Sequence, residues 1–179
     1  MSRSEGWYGV FFMAFALIGG GGTGGVRIAA AQTEAAPMHA EEAAVIQVVQ
    51  DLFDAMRAGD GEKVVSLFVD GAMLQSVGER EGKPMAGVTP IERFAEAVGQ
   101  PHDQVWDEQI WDTEVHIDGR LASVWTAYAF YLGKTFSHCG VDSFQLFNGE
   151  DGWKILYLAD TRQQEGCQVP EAIQAKVNG

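Results

Sequence analysis

The chain has 179 residues, 46% of them hydrophobic, with a formal net charge of −13 and only two cysteines. That length suits a single domain with a sizeable core once a leader is removed. So acidic a balance repels polyanions, which excludes nucleic acid and anionic membrane surfaces as partners.

Residues 1–31 have the build of a secretory signal peptide. Arg3 gives a positive start, Val10–Ile18 a nine-residue apolar core, and Ala29-Ala30-Ala31 a small-residue cleavage site before Gln32. A bilayer span takes about 20 apolar residues. The mature protein is therefore expected in the periplasm or outside the cell, without a membrane anchor. The glycine-rich run Gly19–Gly25 lacks the flanking strand and helix of a phosphate loop, and no cofactor is expected. Residues 32–40, alanine-rich with Pro37, form a disordered lead-in.

The domain proper is expected over 41–167. Val45, Ile46, Val48, Val49, Leu52, Phe53 and Met56 fall on one stripe at helical spacing, and Gly59 ends that helix. Asp60 then caps a second, shorter helix carrying Val64, Val65, Leu67 and Phe68. A short strand follows at 72–77, and the charged, Gly- and Pro-containing stretch 78–88 is taken as a loop. Thr89 and Glu92 form a capping box around Pro90, which starts a third helix over 90–98. After Pro101 the pattern turns to strands at 105–117, 121–132, 136–147 and 153–162, with a strong hairpin signal at Asp118-Gly119. The polar tail 168–179 holds a weak helical piece near 172–177.

The strand 136–147 carries the chemistry. On one face, Phe136, Phe144 and Leu146 flank His138, Gly140 and Asp142, an apolar stripe with two ionisable groups and a gap between them. Four residues of strand put His138 and Asp142 about 13 Å apart, so they bracket a ligand rather than touch. Gly140 leaves room for that ligand. His138 is a proton donor or acceptor near neutral pH. Asp142 is a base if burial raises its pKa. These two are the candidate catalytic residues; the plain alternative is a pair of buried polar groups that hold the sheet in register.

If Gly133-Lys134 is a two-residue turn, Asp142 faces Trp125, whose indole N–H can bond the carboxylate. A one-residue slip puts Thr126, Tyr128 and Phe130 opposite instead. The ligand-binding candidates are thus His138, Gly140, Asp142, Trp125 and Tyr128. Asp160 and Arg162 share a face of the last strand. No metal site is expected, because His138, Cys139 and Asp142 do not share one face. Cys139 and Cys167 are an even pair in an exported chain, which points to a disulfide contributing about 3–4 kcal/mol. The alternative is two unrelated thiols.

Three helices, a short strand and four long antiparallel strands resemble the cone-shaped fold of the nuclear-transport-factor-2-like superfamily (NTF2-like), an α+β class. The opening VVQDLFDAMRAGDGEKVVSLFVDGAML resembles that superfamily's first two helices. The stretches WTAYAFYLGKTFSHCGVDSFQLF, GWKI and EGC resemble its exported bacterial branch, described as lumazine-binding or SnoaL-like. The resemblance spans Glu41 to Cys167. It implies a strongly curved antiparallel sheet wrapped around three helices, a conical pocket for a small molecule between them, and a homodimer through the outer sheet face. Relatives include isomerases, dehydratases and non-catalytic binders, so fold alone does not choose among them. A small-molecule binder is expected first, a hydrolyase or isomerase using Asp142 or His138 second, and a purely structural dimerisation domain third.

Overall fold

The computed structural model describes residues 38–80 and 82–179. The expected signal peptide, 1–31, and residues 32–37 of the expected lead-in lie outside the described residues; 38–40 are not part of a disordered lead-in but open the first helix. Helix α1, Met38–Ala58, buries Val45, Val49, Leu52, Phe53 and Met56, while Ile46 and Val48 of the expected stripe are only half-buried at its edges. Asp60 caps α2, Gly61–Ser66, by accepting the Lys63 backbone N–H at 2.8 Å. Helix α3, Ile91–Gly99, adds Ile91, Ala95 and Val98 to the same core.

The sheet has six strands in the order β2-β1-β6-β5-β4-β3. They are β1 Phe68–Arg80, β2 Lys83–Pro90, β3 Trp106–Asp118, β4 Leu121–Leu132, β5 Thr135–Gly149 and β6 Gly152–Thr161. The last four form an antiparallel meander, β2 pairs antiparallel with β1, and β1 runs parallel to β6. Phe144, Leu146, Val124, Ile155 and Leu158 point from the concave face onto the helices.

Three local expectations change. Stretch 78–88 is not a loop: it pairs as a hairpin from Gly78↔Met85 to Arg80↔Lys83, turning at Gly82 with φ 74°. Its charges and proline suit an edge strand, whose composition imitates a loop. Thr89 does not cap α3. It pairs with Leu74 at the end of β2, and the helix begins after Pro90 without a side-chain cap. The turn after β5 is tighter than its Gly- and Asp-rich sequence implies, because Gly149 pairs with Gly152.

The register of β4 against β5 also differs from the two-residue-turn expectation. Leu132 does pair with Thr135, but a bulge between Phe130 and Tyr131 absorbs Ser137. Beyond it Phe130 faces His138, Tyr128 faces Gly140 and Thr126 faces Asp142, which is the slipped alternative. The bulge also sends Phe136 outward, against Tyr131.

Cys139 and Cys167 are joined by a disulfide with Cα atoms 6.0 Å apart. It holds the tail and helix α4, Glu171–Asn178, against the outer sheet face. There Val177, Val169, Cys167 and Trp111 pack with Ala129, Tyr131 and Cys139.

Candidate functional site

Between the helices and the concave sheet face lies a cavity of about 380 Å³, within the ordinary range for small-molecule pockets. Leu52, Phe53 and Met56 of α1 and Phe94 and Ala97 of α3 make the helical wall. The sheet contributes an aromatic run. Trp106 and Phe130 lie with ring centroids 6.1 Å apart, Phe130 and His138 at 5.1 Å, and His138 and Tyr128 at 5.8 Å. Alternation along each strand selects these residues, since 106 and 108, 128 and 130, 138 and 142, and 158 and 160 all point inward.

Three carboxyl groups line this apolar space: Glu108, Asp142 and Asp160. Asp160 is fully engaged. Ser76 Oγ donates to it at 2.6 Å, Arg162 Nε at 2.5 Å and the Tyr128 hydroxyl at 3.4 Å. Asp142 is in a different state. It is 2% exposed, and its Oδ2 finds no donor among the described residues. The group it meets is the Glu108 carboxyl. Two ionised carboxylates cannot hydrogen-bond to each other, so the contact holds only if one acid keeps a proton. Burial first, then the Glu108 charge beside it, holds the Asp142 pKa well above the usual carboxylate range. Burial also pushes Glu108 up, to about 7, although a hydrogen bond from Asp142 and the cations Arg162 and Arg57 act the other way. An Asp142 carboxyl kept neutral by burial can donate to Glu108, and both side chains line the cavity.

The surroundings fix this pair. Arg57 of α1 donates to the Glu108 backbone carbonyl at 3.1 Å and to the Asp107 carboxylate at 2.9 Å, tying β3 to the helix. Under Asp142 sits Thr126, fully buried, bonded to the Thr113 hydroxyl at 2.7 Å and the Trp111 carbonyl at 3.1 Å. These bonds stitch the β3 bulge where Asp112 takes φ 50°. Tyr128 donates to the Thr161 carbonyl at 2.8 Å. Burial and the neighbouring Asp160 push its pKa up, so the phenol stays protonated. His138 has its pKa lowered by burial and by Arg162, which keeps the ring neutral at pH 7, with Nδ1 3.0 Å from Ser137 Oγ. Among the described residues no three His, Cys, Asp or Glu side chains are arranged to hold a metal ion.

Of the residues that the sequence singles out, His138, Asp142 and Tyr128 line the cavity together. Trp125 does not: it lies on the outer face and is 55% exposed. The bulge places Thr126, not Trp125, on the inner side beside Asp142. Gly140 is no hollow for a ligand either. A Cβ there would lie 1.9 Å from the Thr161 carbonyl oxygen, so the missing side chain admits the protein's own backbone. Asp160 and Arg162 join the site, as their shared face allows. Glu108 went unmarked in the sequence, where it sits in an imperfectly alternating strand; its apolar inward neighbours Trp106 and Ile110 were the available signal.

A protein-family profile described as "Putative lumazine-binding" matches residues 40–158, more than half of the chain. The chain belongs to this family. Solved structures described as NTF2-like share its fold. A protein of unknown function from Mycobacterium tuberculosis superposes with TM-score 0.57 at 16% identity, covering 79% of this chain and 91% of its own. An NTF2-like protein of unknown function from Shewanella baltica gives TM-score 0.57 at 16% identity over 73% of this chain and 99% of that one. A putative dehydratase of the NTF2-like family from Streptomyces avermitilis gives 0.52 at 16% identity, over 70% and 97% respectively. No curated protein matches the sequence.

Proposed function

We propose that the cavity binds a small, largely apolar molecule whose one polar group reaches the Glu108–Asp142 pair. The observation that supports this most directly is the pair itself. Asp142, 2% exposed and with its Oδ2 unpartnered among the described residues, lies with Glu108 in the wall of an aromatic-lined cavity of about 380 Å³. Apolar walls supply affinity, and Glu108, Tyr128 and the neutral His138 ring supply orientation. Export belongs to the same proposal: the disulfide between Cys139 and Cys167 supports a chain that matures in an oxidising compartment. So does a homodimer through the outer face, where Leu121, Trp125 and Phe147 are exposed.

A second reading adds turnover, and the placement of Glu108 favours it: the carboxyl lines an apolar cavity beside Asp142, where burial pushes its pKa up to about 7. A carboxyl poised near neutrality takes a proton from a ligand C–H or O–H and returns it, the requirement for an isomerisation or a water elimination. Glu108 takes the role that the sequence offers to Asp142 or His138. Asp142 is the positioning residue behind it. Elimination of water is the reaction class named for the Streptomyces avermitilis relative.

Native mass spectrometry of the protein purified from its own compartment tests both readings. A co-purifying small molecule, retained by the native chain and weakened in Glu108→Gln, supports the binding site. A mass change of that molecule on incubation with native protein but not with Glu108→Gln supports turnover. A chain that remains unliganded through a broad thermal-shift screen overturns both.

A further inference from the structure

Among the described residues lining the cavity, only Arg93 and Arg162 are exposed. Every other lining side chain is buried or half-buried, so these two mark the rim. One stands on α3, on the helical wall, and the other just beyond the end of β6, on the sheet wall. The whole chain carries only 12 lysines and arginines against 25 acids. Two of those cations at one small opening call for a reason.

We propose that the ligand is an amphipathic monoanion, a carboxylate whose charge sits at the rim between Arg93 and Arg162 while its apolar body lies along Trp106, Phe130 and His138. This rests on the cavity being a ligand site, as proposed above. Arg93 makes no ion pair or hydrogen bond among the described residues. It also lies in the first turn of α3, where the helix dipole disfavours a cation by roughly 0.3–1 kcal/mol. A cation held against its dipole and left without a counterion is placed to meet an anion from outside. Arg162 is engaged differently: it donates to Asp160 through Nε at 2.5 Å, which orients the guanidinium and leaves its terminal nitrogens for a second acceptor.

The acids inside the cavity do not cancel this. Asp160 is already paired by Arg162, and Asp142 keeps its proton. Glu108 remains, and the negative charge it carries when ionised favours a single negative charge at the rim over a dianion such as a phosphate monoester. The two ends of the cavity then read opposite ends of one molecule, an acid at the rim and a polar hydrogen at Glu108.

Isothermal titration with 2-naphthoate and its neutral isostere 2-naphthamide tests the proposal, using native protein, Arg93→Gln, Arg162→Gln and the double variant at pH 7. Naphthoate is expected to bind about tenfold more tightly than the amide at low salt, with the preference shrinking at high salt. Each single variant should lower naphthoate affinity about three- to fivefold and leave the amide unchanged. The double variant should remove the preference. Arg93→Gln serves as the control for folding, because Arg93 holds no internal partner among the described residues. Equal affinity for the two probes, or a preference that survives in the double variant, overturns the anionic rim while cavity binding stands. Failure of both probes to bind overturns the rim and the binding site together.

Discussion

Each face of the sheet departs from the usual distribution at a few positions. On the concave side, which should be apolar, Asp142 is 2% exposed, Asp160 5% and Thr126 0%. On the convex side, which should be polar, Trp125 is 55% exposed, Leu121 50% and Phe147 39%. A buried polar group costs free energy unless it is bonded, and exposed apolar surface costs solvation, so both faces depart from what stability alone would choose. The departures differ in kind. Inside, Ser76, Tyr128 and Arg162 hold Asp160 and Thr113 holds Thr126, while Asp142 keeps one oxygen unpartnered among the described residues. Outside, the apolar groups are simply uncovered, except where the disulfide fastens α4 over Ala129 and Tyr131. The inner face suits the ligand proposed above, and the outer one the proposed dimer contact.

The largest expected effect comes from the inner face at its tightest point. Gly140→Ala sets a Cβ against the Thr161 carbonyl at 1.9 Å, and backbone cannot step aside as a side chain can. A loss of about 4 kcal/mol or more is expected, read by chemical denaturation. Gly71→Ala is the control, with φ +77° and nothing within 4 Å, expected to cost only about 1 kcal/mol of conformational strain. Similar losses at both positions would mean that β5 and β6 are not in close contact at Gly140.

On the outer face, replacing both cysteines in the Cys139→Ser, Cys167→Ser variant should cost about 3–4 kcal/mol. In the same variant, proteolysis should shorten the chain near Gln163 before it touches the meander. A tail that stays protected without the bond would show that the packing of Val177 and Val169 suffices.

Next in size is a pH effect confined to the inner face. Asp142 and Glu108 hold protons more tightly folded than unfolded, the latter state titrating near 4.3 for Glu. Folded protein therefore binds more protons between that value and about 7, and stability falls as pH rises through this window. The contribution is fully present below pH ~4 and gone above the folded pKa. Glu108→Gln should flatten the fall and raise stability at pH 8 by about 1–3 kcal/mol, measured by thermal melts across pH. A native chain whose stability is level from pH 4 to 8 would remove the shared proton. The smallest effect is Trp125→Ala, expected within about 0.5 kcal/mol for an isolated chain. The same substitution should weaken a dimer in analytical ultracentrifugation if the outer face is its seam.

What the sequence revealed follows from how far each signal reaches along the chain. Helix α1, the Asp60 cap and the four-strand meander announce themselves through local periodicity and turn residues, and all are in place. His138 and Asp142 were legible as inward polar groups because period-two alternation needs only one strand. Glu108 was not, since its meaning arises from meeting Asp142, and β4 lies between their strands. Trp125 was misplaced because a single bulge at Ser137 turns one register into another, and nothing local distinguishes a serine in a strand from a serine in a bulge. Gly140 has two readings from sequence, space for a ligand or space for the chain; the answer lies at Thr161. Long-range meetings are what periodicity cannot express.

The parallel pairing of β1 with β6 has a consequence for how the chain folds. Ser76 and Asp160 are 84 positions apart, yet their bond lies in the seam between these strands. While the chain is being made, β1 has no central neighbour until the final strand arrives. Closing so distant a contact is slow, and an open β1 edge invites pairing with other chains in the interval. Such a molecule completes its sheet only when nearly all of it is present at once. For the export proposed above that delay is an advantage, since a chain that finishes folding late is still threadable when it reaches the membrane.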